Sequence, residues 1–453
     1  MGMRTILYTI PSALVHLIEM LRARLRDVEF CARHRIRAED FTRDRQLTFP
    51  VLMLFIWQKT AKSIQRHLHE FLDELATGAW FEPVTSGAVT HARAKLKASA
   101  FIELNQDCVL PTIYGAEHPL QRWRGHRMVG VDSSLVRWPT SPELGQRLGW
   151  KEAAHQHGAP GTRFPEARLS VIDDLLNRVG WEARLEPSTM GEVALAMEQL
   201  ERLHPGDVAI NDRGFSGYLY WALVRQPQAH FMARCSTGSF RAAQEMFRRN
   251  RANQSQGVWL LAPPDQKAEC VRLGLPLKMA GRLVSLRWPS GELEVLATPL
   301  LDEVGYPTEE FLTVYHWRWG PETFHLMLKG RLELENFSGL TVEAVEQDLQ
   351  AALLLANGES ALSEPTQAAL TGQRQPEAQA RQVNRSNPYH AIKDQVLDLW
   401  YGDTPAETVL QKLMRLFQGD PVAVRPNRKV PRRRKQSFHR SYHFQRRVKK
   451  VVF

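Results

Sequence analysis

Cysteine is scarce in this chain. Four cysteines in 453 residues (Cys31, Cys108, Cys235 and Cys270) lie far apart, and no Cys-x-x-Cys occurs. That spacing argues against a zinc ribbon, a redox dithiol or a disulfide scaffold. Long apolar runs are also missing. The longest, about Leu47–Trp57, is well short of the ~20 residues that a membrane-spanning helix needs. The N-terminus shows no basic-then-apolar segment ending in small residues. A reducing, cytoplasmic setting with no membrane partner is therefore the expectation. Nucleotide fingerprints are absent too: neither Gly-x-x-x-x-Gly-Lys nor Gly-x-Gly-x-x-Gly after a strand is found. No internal repeat is visible.

Acidic residues are missing from one region. From Arg425 to Phe453 there are twelve Lys or Arg and no Asp or Glu. The rest of the chain carries 47 basic against 49 acidic side chains, so the net charge of +10 resides in the tail. A cluster such as Arg432-Arg433-Arg434-Lys435 attracts phosphates by releasing counterions. A solvated terminus with no partner has the same composition.

Residues from Pro11 to about Leu110 read as helical, with apolar residues at helical spacing in Leu14-Val15-Leu17-Ile18-Leu21 and around Val51–Trp57. The segment Thr85–Lys97 opens on capping residues and carries Arg93, Lys95 and Lys97. It reads either as a helix entering a DNA groove or as a surface helix with a solvated basic face. From Arg127 the texture changes. Short apolar runs at Met128–Val131, Arg168–Ile172, Val179–Leu185, Val208–Ile210 and His230–Ala233 alternate with helical segments, which predicts a mixed α/β sheet. Strand-like runs at Gly257–Leu261, Leu283–Trp288 and Leu293–Thr298 predict a mostly β insertion. Helical texture returns at Pro307–Leu334 and Val342–Leu362, and the polar stretch Gln367–Asn387 reads as a linker.

Two acidic residues share a context. Asp132 (MVGV-D) and Asp212 (VAIN-D) each follow a short apolar strand and precede small or turn-forming residues. Taken alone, each is an ordinary turn former. Meeting at one sheet edge, they repel unless a cation sits between them, and hard oxygen ligands suit Mg²⁺ or Mn²⁺. A third element lies in YHWRWGPETFHLMLK. On a helix of ~100° per residue, Tyr315, Arg318, Glu322 and Lys329 fall within a wedge of ~60°, while Trp317, Phe324 and Leu328 share a different face suited to a core. Glu322 supplies a hard ligand, Arg318 and Lys329 supply phosphate contacts, and Tyr315 hydrogen-bonds or stacks. Gly320-Pro321 marks a kink or restart of that helix.

With these residues in place, the chain resembles a DDE transposase of bacterial insertion sequences, of the insertion-sequence-four family. That family carries Tyr, Arg, Glu and Lys with two, three and six intervening residues, as Tyr315, Arg318, Glu322 and Lys329 do. Asp132 in GVDSSL and Asp212 in Asp212-Arg213-Gly214-Phe215 match the two Asp contexts. LENFSG (Leu334–Gly339), Gln347-Asp348 and VLATPLLD (Val295–Asp302) also resemble family text, over about Val129 to Asn357. Ser133 stands where Gly is frequent. No tryptophan occurs in Gly291–Glu294, so the base-stacking role of some members is not carried over.

The resemblance implies a ribonuclease-H-like α/β core with a β-rich insertion, preceded by an all-α N-terminal domain. The boundaries that follow are residues 1–115 for a helical DNA-binding domain, 120–235 and 306–365 for the two parts of the core, 236–305 for the insertion, and 366–453 for a linker and basic C-terminal region. It implies Asp132, Asp212 and Glu322 as catalytic metal ligands for two Mg²⁺ or Mn²⁺ ions. It also implies Tyr315, Arg318, Lys329 and Arg213 as DNA-binding residues. The expected partners are double-stranded DNA, as element ends and target, and a second copy when the ends are paired. The setting implied is a bacterial cytoplasm, near the nucleoid. An inactive DNA-binding regulator and a non-transposing nuclease of the same fold are the alternatives. His155-x-His157 has metal-ligand chemistry but no third spaced ligand.

Overall fold

The computed structural model describes residues 10–43, 45–60, 62–76, 82–118, 120–152, 163–332, 334–372 and 380–424. His155, His157 and the basic tail from Arg425 lie outside the described residues. Two compact units share the chain. One is built from residues up to Leu120, Val136–Ala167 and from Met327 onward; the other from Gln121–Leu135 and Arg168–Leu326.

In chain order the strands are β1 (Met128–Val136), β2 (Lys151–Glu152), β3 (Arg163–Phe164), β4 (Ala167–Asp174), β5 (Val179–Pro187), β6 (Val208–Asn211), β7 (His230–Arg234), β8 (Gln254–Leu261), β9 (Lys278–Arg287), β10 (Leu293–Thr298), β11 (Arg381–Gln382) and β12 (Val422–Ala423). Eight of them form one sheet in the order β5-β4-β1-β6-β7-β10-β9-β8, a mixed α/β fold. β1, β6 and β7 are parallel neighbours, with Gly130 opposite Ile210 and Asn211 opposite Ala233. β10, β9 and β8 continue the sheet antiparallel from β7. The β-rich stretch is thus an extension of the same sheet, with helices at Arg241–Arg249 and Lys267–Arg272 between its strands.

Alternation explains the layering. Met128, Val208, Ile210 and Met232 point to one face and pack with Phe311, Val314 and Tyr315 of the helix Phe311–His316. On the opposite face the polar residues are pinned to the helix Glu192–Gln199. Ser133 Oγ donates to Glu192 at 2.7 Å, and Ser170 Oγ to Gln199 at 2.6 Å. The β4–β5 turn closes on Asp174, which accepts from the amide nitrogens of Leu176 and Asn177 at 3.2 Å each. Arg178 ends that turn with φ +56°.

The other unit is mainly helical. The longest apolar run of the sequence forms the buried helix Phe49–Gln58. The helix Val342–Gly372 is buried along most of its length, polar residues such as Gln347, Asp348 and Asn357 included. It packs on Phe49–Gln58, Ser99–Leu104, Ser386–Asp394 and Ala406–Gln418. Trp57 stacks on Trp400 with ring centroids 5.0 Å apart. Helices before Leu120 and after Met327 therefore share one core, a division that runs across the sequence boundaries at 115 and 365. Helix Val342–Gly372 runs into the stretch read as a linker, and Ser386 starts the next helix.

The helix Ser86–Arg93 is capped by Thr85, whose Oγ1 accepts from the amide of Ala88 at 3.3 Å. Its arginine does not face solvent. Arg93 is 5% exposed and donates to Asp348 Oδ1 at 3.0 Å, to Gln347 Oε1 at 2.9 Å, and to Ser338 and the Ala344 carbonyl. Lys97 Nζ donates to the Arg33 carbonyl at 2.9 Å. Gly339 lies so close to Ala344 that a Cβ would overlap it. The texts LENFSG and Gln347-Asp348 are thus parts of one buried network around a single guanidinium.

Candidate catalytic site

Asp132 and Asp212 sit two residues beyond the last registered pair, Gly130 and Ile210. Asp132 lies inside β1, and Asp212 is the first residue after the end of its parallel neighbour β6. Each carboxylate is braced by the next amide. Asp132 Oδ1 accepts from Ser133 N at 2.8 Å, and Asp212 Oδ1 from Arg213 N at 2.6 Å. Asp212 caps the 3-10 turn Arg213–Phe215.

The segment that bears Glu322 passes both aspartates. The helix Phe311–His316 passes into a 3-10 step at Trp317–Trp319, and an α-helix restarts as Gly320–Leu326 with Pro321 in its first turn. The break read from Gly320-Pro321 is present. Three contacts tie the segment to β1 and to the end of β6. Tyr315 Oη donates to the Asn211 carbonyl at 3.3 Å, Arg318 Nη1 lies 3.4 Å from Asp212 Oδ2, and His325 Nε2 donates to the Asp132 carbonyl at 3.1 Å. The side chain of Glu322 lies outside the described residues. Close approach is needed here: a Cβ on Gly320 would stand 2.9 Å from Leu175 Cδ2.

Tyr315 and Arg318 point inward to the end of β6. Tyr315 is 2% exposed, and burial pushes its phenol pKa up. As placed, it reaches Asn211 and not solvent, which differs from the DNA contact expected of it. The Arg318 side chain is 11% exposed, and its guanidinium stacks 3.9 Å from the centroid of the exposed Trp319 ring. Phe324 and Leu328 are buried, as the second face requires, and Trp317 is half-buried. Arg213 is exposed. Lys329 belongs to the helical unit, where its Nζ lies 3.9 Å from Glu335.

Two residues near Asp132 were not singled out from the sequence. One is His325, which anchors the helix to β1. The other is Asp173, buried at 2% exposure with its Oδ1 unpartnered. Burial, with Asp174 and Asp132 nearby, holds its carboxyl well above the usual carboxylate range. The available signal was the acid doublet closing the apolar run of β4.

A family model described as the transposase DDE domain matches residues 123–357. That is just over half of the chain, so the chain belongs to this family, one of metal-dependent DNA cleavage and transfer enzymes. No curated protein matches in sequence. Among solved structures, a piggyBac transposase synaptic complex with hairpin DNA is similar at 10% identity and a TM-score of 0.41, over 90% of this chain and 86% of that one. The likeness is too distant to define the fold.

All-oxygen donors on β1 and just past the adjacent β6 fit a hard divalent cation, and the unpartnered oxygen of Asp173, near Asp132, fits an added hydrated ion. Among the described residues no group of three His, Cys, Asp or Glu side chains is gathered closely enough to hold one. Asp132 and Asp212 are the described part of the proposed ligand set. No helix of the described residues is long and apolar enough to cross a membrane.

Proposed function

We propose that this chain is the transposase of an insertion sequence of the insertion-sequence-four type, with a ribonuclease-H-like core. It would bind the element's terminal inverted repeats, cut the DNA ends and join them to target DNA. The observation that carries this reading is the parallel register of β1 and β6, with a single segment bonded to β1 at Asp132 through His325 and to Asp212 just past β6 through Arg318. Asp132, Asp212 and Glu322 would hold two Mg²⁺ or Mn²⁺ ions. When bound there, such ions would supply activation of a water or a DNA 3′-hydroxyl and stabilisation of the departing oxygen in an in-line displacement. One P–O bond forms to the nucleophile as the bridging P–O bond breaks.

The chain's own residues orient that site. Tyr315 fixes the height of the segment against β6, and Arg318 neutralises and aims Asp212. His325 holds the helix to β1. Arg213 and Lys329 are proposed as phosphate contacts. The helical residues 1–115 are proposed as the end-binding region, acting through residues other than the buried Arg93, and a second copy joins when two ends are paired. A bacterial cytoplasmic setting goes with this reading.

The test is cleavage and strand transfer on the inverted repeats flanking the gene. Asp132→Asn, Asp212→Asn and Glu322→Gln should each abolish cleavage while leaving end binding intact. Near-normal cleavage by any one of them would sink the assignment. Cleavage by the intact protein without strand transfer would identify a nuclease.

A further inference from the structure

Asp173 has no role in the reading above, and its surroundings give it one. Arg168 Nη1 donates to Ser133 Oγ at 2.8 Å, while Leu175 N donates to the Met128 carbonyl at 2.8 Å. As β4 advances, its partners on β1 recede, so the two strands run antiparallel. Carried along both strands, the Leu175–Met128 pairing sets Asp173 opposite Gly130, and Val171 opposite Asp132.

The faces agree. Ser133, Arg168 and Ser170 lie on the side of the helix Glu192–Gln199: Ser133 and Ser170 bond to that helix, and Arg168 bonds to Ser133 and to the Met190 carbonyl just before it. Strand alternation then puts Asp132 and Asp173 on the other side, the side covered by Gly320–Leu326. Gly320 packs against Leu175 and His325 bonds to Asp132, so this helix passes over both ends of the patch. Opposite Asp173, Gly130 has no side chain to stand between the two carboxyl groups.

A buried polar atom with no partner is costly to keep and calls for an explanation outside its own packing. A cation held by one or two carboxylates retains several waters, and those waters need acceptors. We propose that Asp173 is a positioning residue for the cation at Asp132, accepting a hydrogen bond from a water in that ion's shell. This rests on the reading of Asp132 and Asp212 as cation ligands. It separates Asp173 from Asp174, whose oxygens are spent on the β4–β5 turn.

The measurement is Mn²⁺ binding to the full-length chain without DNA, followed by the loss of the free-ion paramagnetic resonance signal. Loss of an outer-shell partner commonly costs about 10–100-fold in metal affinity. Asp173→Ala should weaken Mn²⁺ binding by that factor, with no fall in metal-free melting temperature. Asp173→Asn, which keeps an acceptor oxygen, should recover most of the affinity. Wild-type affinity in Asp173→Ala would overturn the proposal. Asp132→Ala is the control. If it binds Mn²⁺ normally, the underlying metal reading fails; if it loses binding while Asp173→Ala does not, only the role of Asp173 fails. Should Asp173→Ala not fold, Fe²⁺ and peroxide on the intact protein decide the matter. Backbone cleavage is expected in both β1 and β4 around residues 132 and 173, and cleavage confined to β1 and β6 would overturn it.

Discussion

A carboxylate closing a short apolar run is a local pattern, and that is what singles out Asp132 and Asp212 in the sequence, although β1 continues through Asp132 to Val136 while β6 stops at Asn211. Asp173 was not legible, because burial on a shared face depends on which strands are neighbours. The same holds for Arg93. Three basic residues in a capped helix resemble a nucleic-acid contact, and only the fold shows Arg93 enclosed by Gln347, Asp348 and Ser338. Burial pushes the Asp348 carboxyl up, but Arg93, Lys59 and the Ser338 hydrogen bonds outweigh it and hold it below the ordinary range. Removing one partner of a buried ion pair costs about 3–5 kcal/mol. Arg93→Leu should therefore lower unfolding free energy by that order in denaturant titration, with little change in the salt dependence of DNA binding. A DNA-contact role would give the reverse.

His230 offers a pH readout at the same scale. Burial, with Arg225 and His126 beside it, lowers its pKa from 6.5 to about 4. The unfolded chain takes up this proton at higher pH than the folded one. Stability from this group is intact above pH 6.5 and is lost as pH falls toward about 4. Melting curves between those values should fall less steeply for His230→Asn than for the parent. Equal slopes would show that His230 titrates normally.

At the scale of elements, the signature segment was legible in spacing but not in orientation. A continuous helix wedge places Tyr315 and Arg318 on one stripe, and that stripe exists. The 3-10 step at Trp317–Trp319 and the restart at Gly320 turn the segment onto β1 and the end of β6. Helical periodicity reports which residues share a face but not what the face meets. Gly320 permits the approach to Leu175, so Gly320→Ala should shift the segment and cut the cleavage rate at least tenfold with end affinity unchanged. Normal cleavage by Gly320→Ala would show that the spacing tolerates a methyl group. Removing the Tyr315 hydroxyl is milder: Tyr315→Phe loses one neutral hydrogen bond, worth ~1 kcal/mol.

For the whole molecule, the mixed α/β sheet was legible from alternating strand and helix texture, and the assembly of each unit from distant segments was not. Local pattern carries no record that helices before Leu120 and after Met327 share a core, or that β8–β10 continue the sheet of β7. The strongest sequence-level asymmetry, the basic run Arg425–Phe453, predicts non-specific phosphate contacts. Deleting it should make the plot of log affinity against log salt shallower, by about 0.9 per lost phosphate contact, for end and non-end duplexes alike. An unchanged slope would remove the tail from the DNA interface.

Asp132 and Asp212 are proposed as ligands of a catalytic divalent cation. The direct measurement is cleavage of an end duplex by Asp132→Cys and Asp212→Cys, in Mg²⁺ and in Mn²⁺. Sulfur ligands disfavour the harder ion more strongly. No cleavage in Mg²⁺ and partial recovery in Mn²⁺ are expected for each variant, while Asp132→Ala and Asp212→Ala stay inactive in both. Cleavage in Mg²⁺ at the parental rate, or recovery in Mn²⁺ by the alanine variants as well, would contradict that assignment.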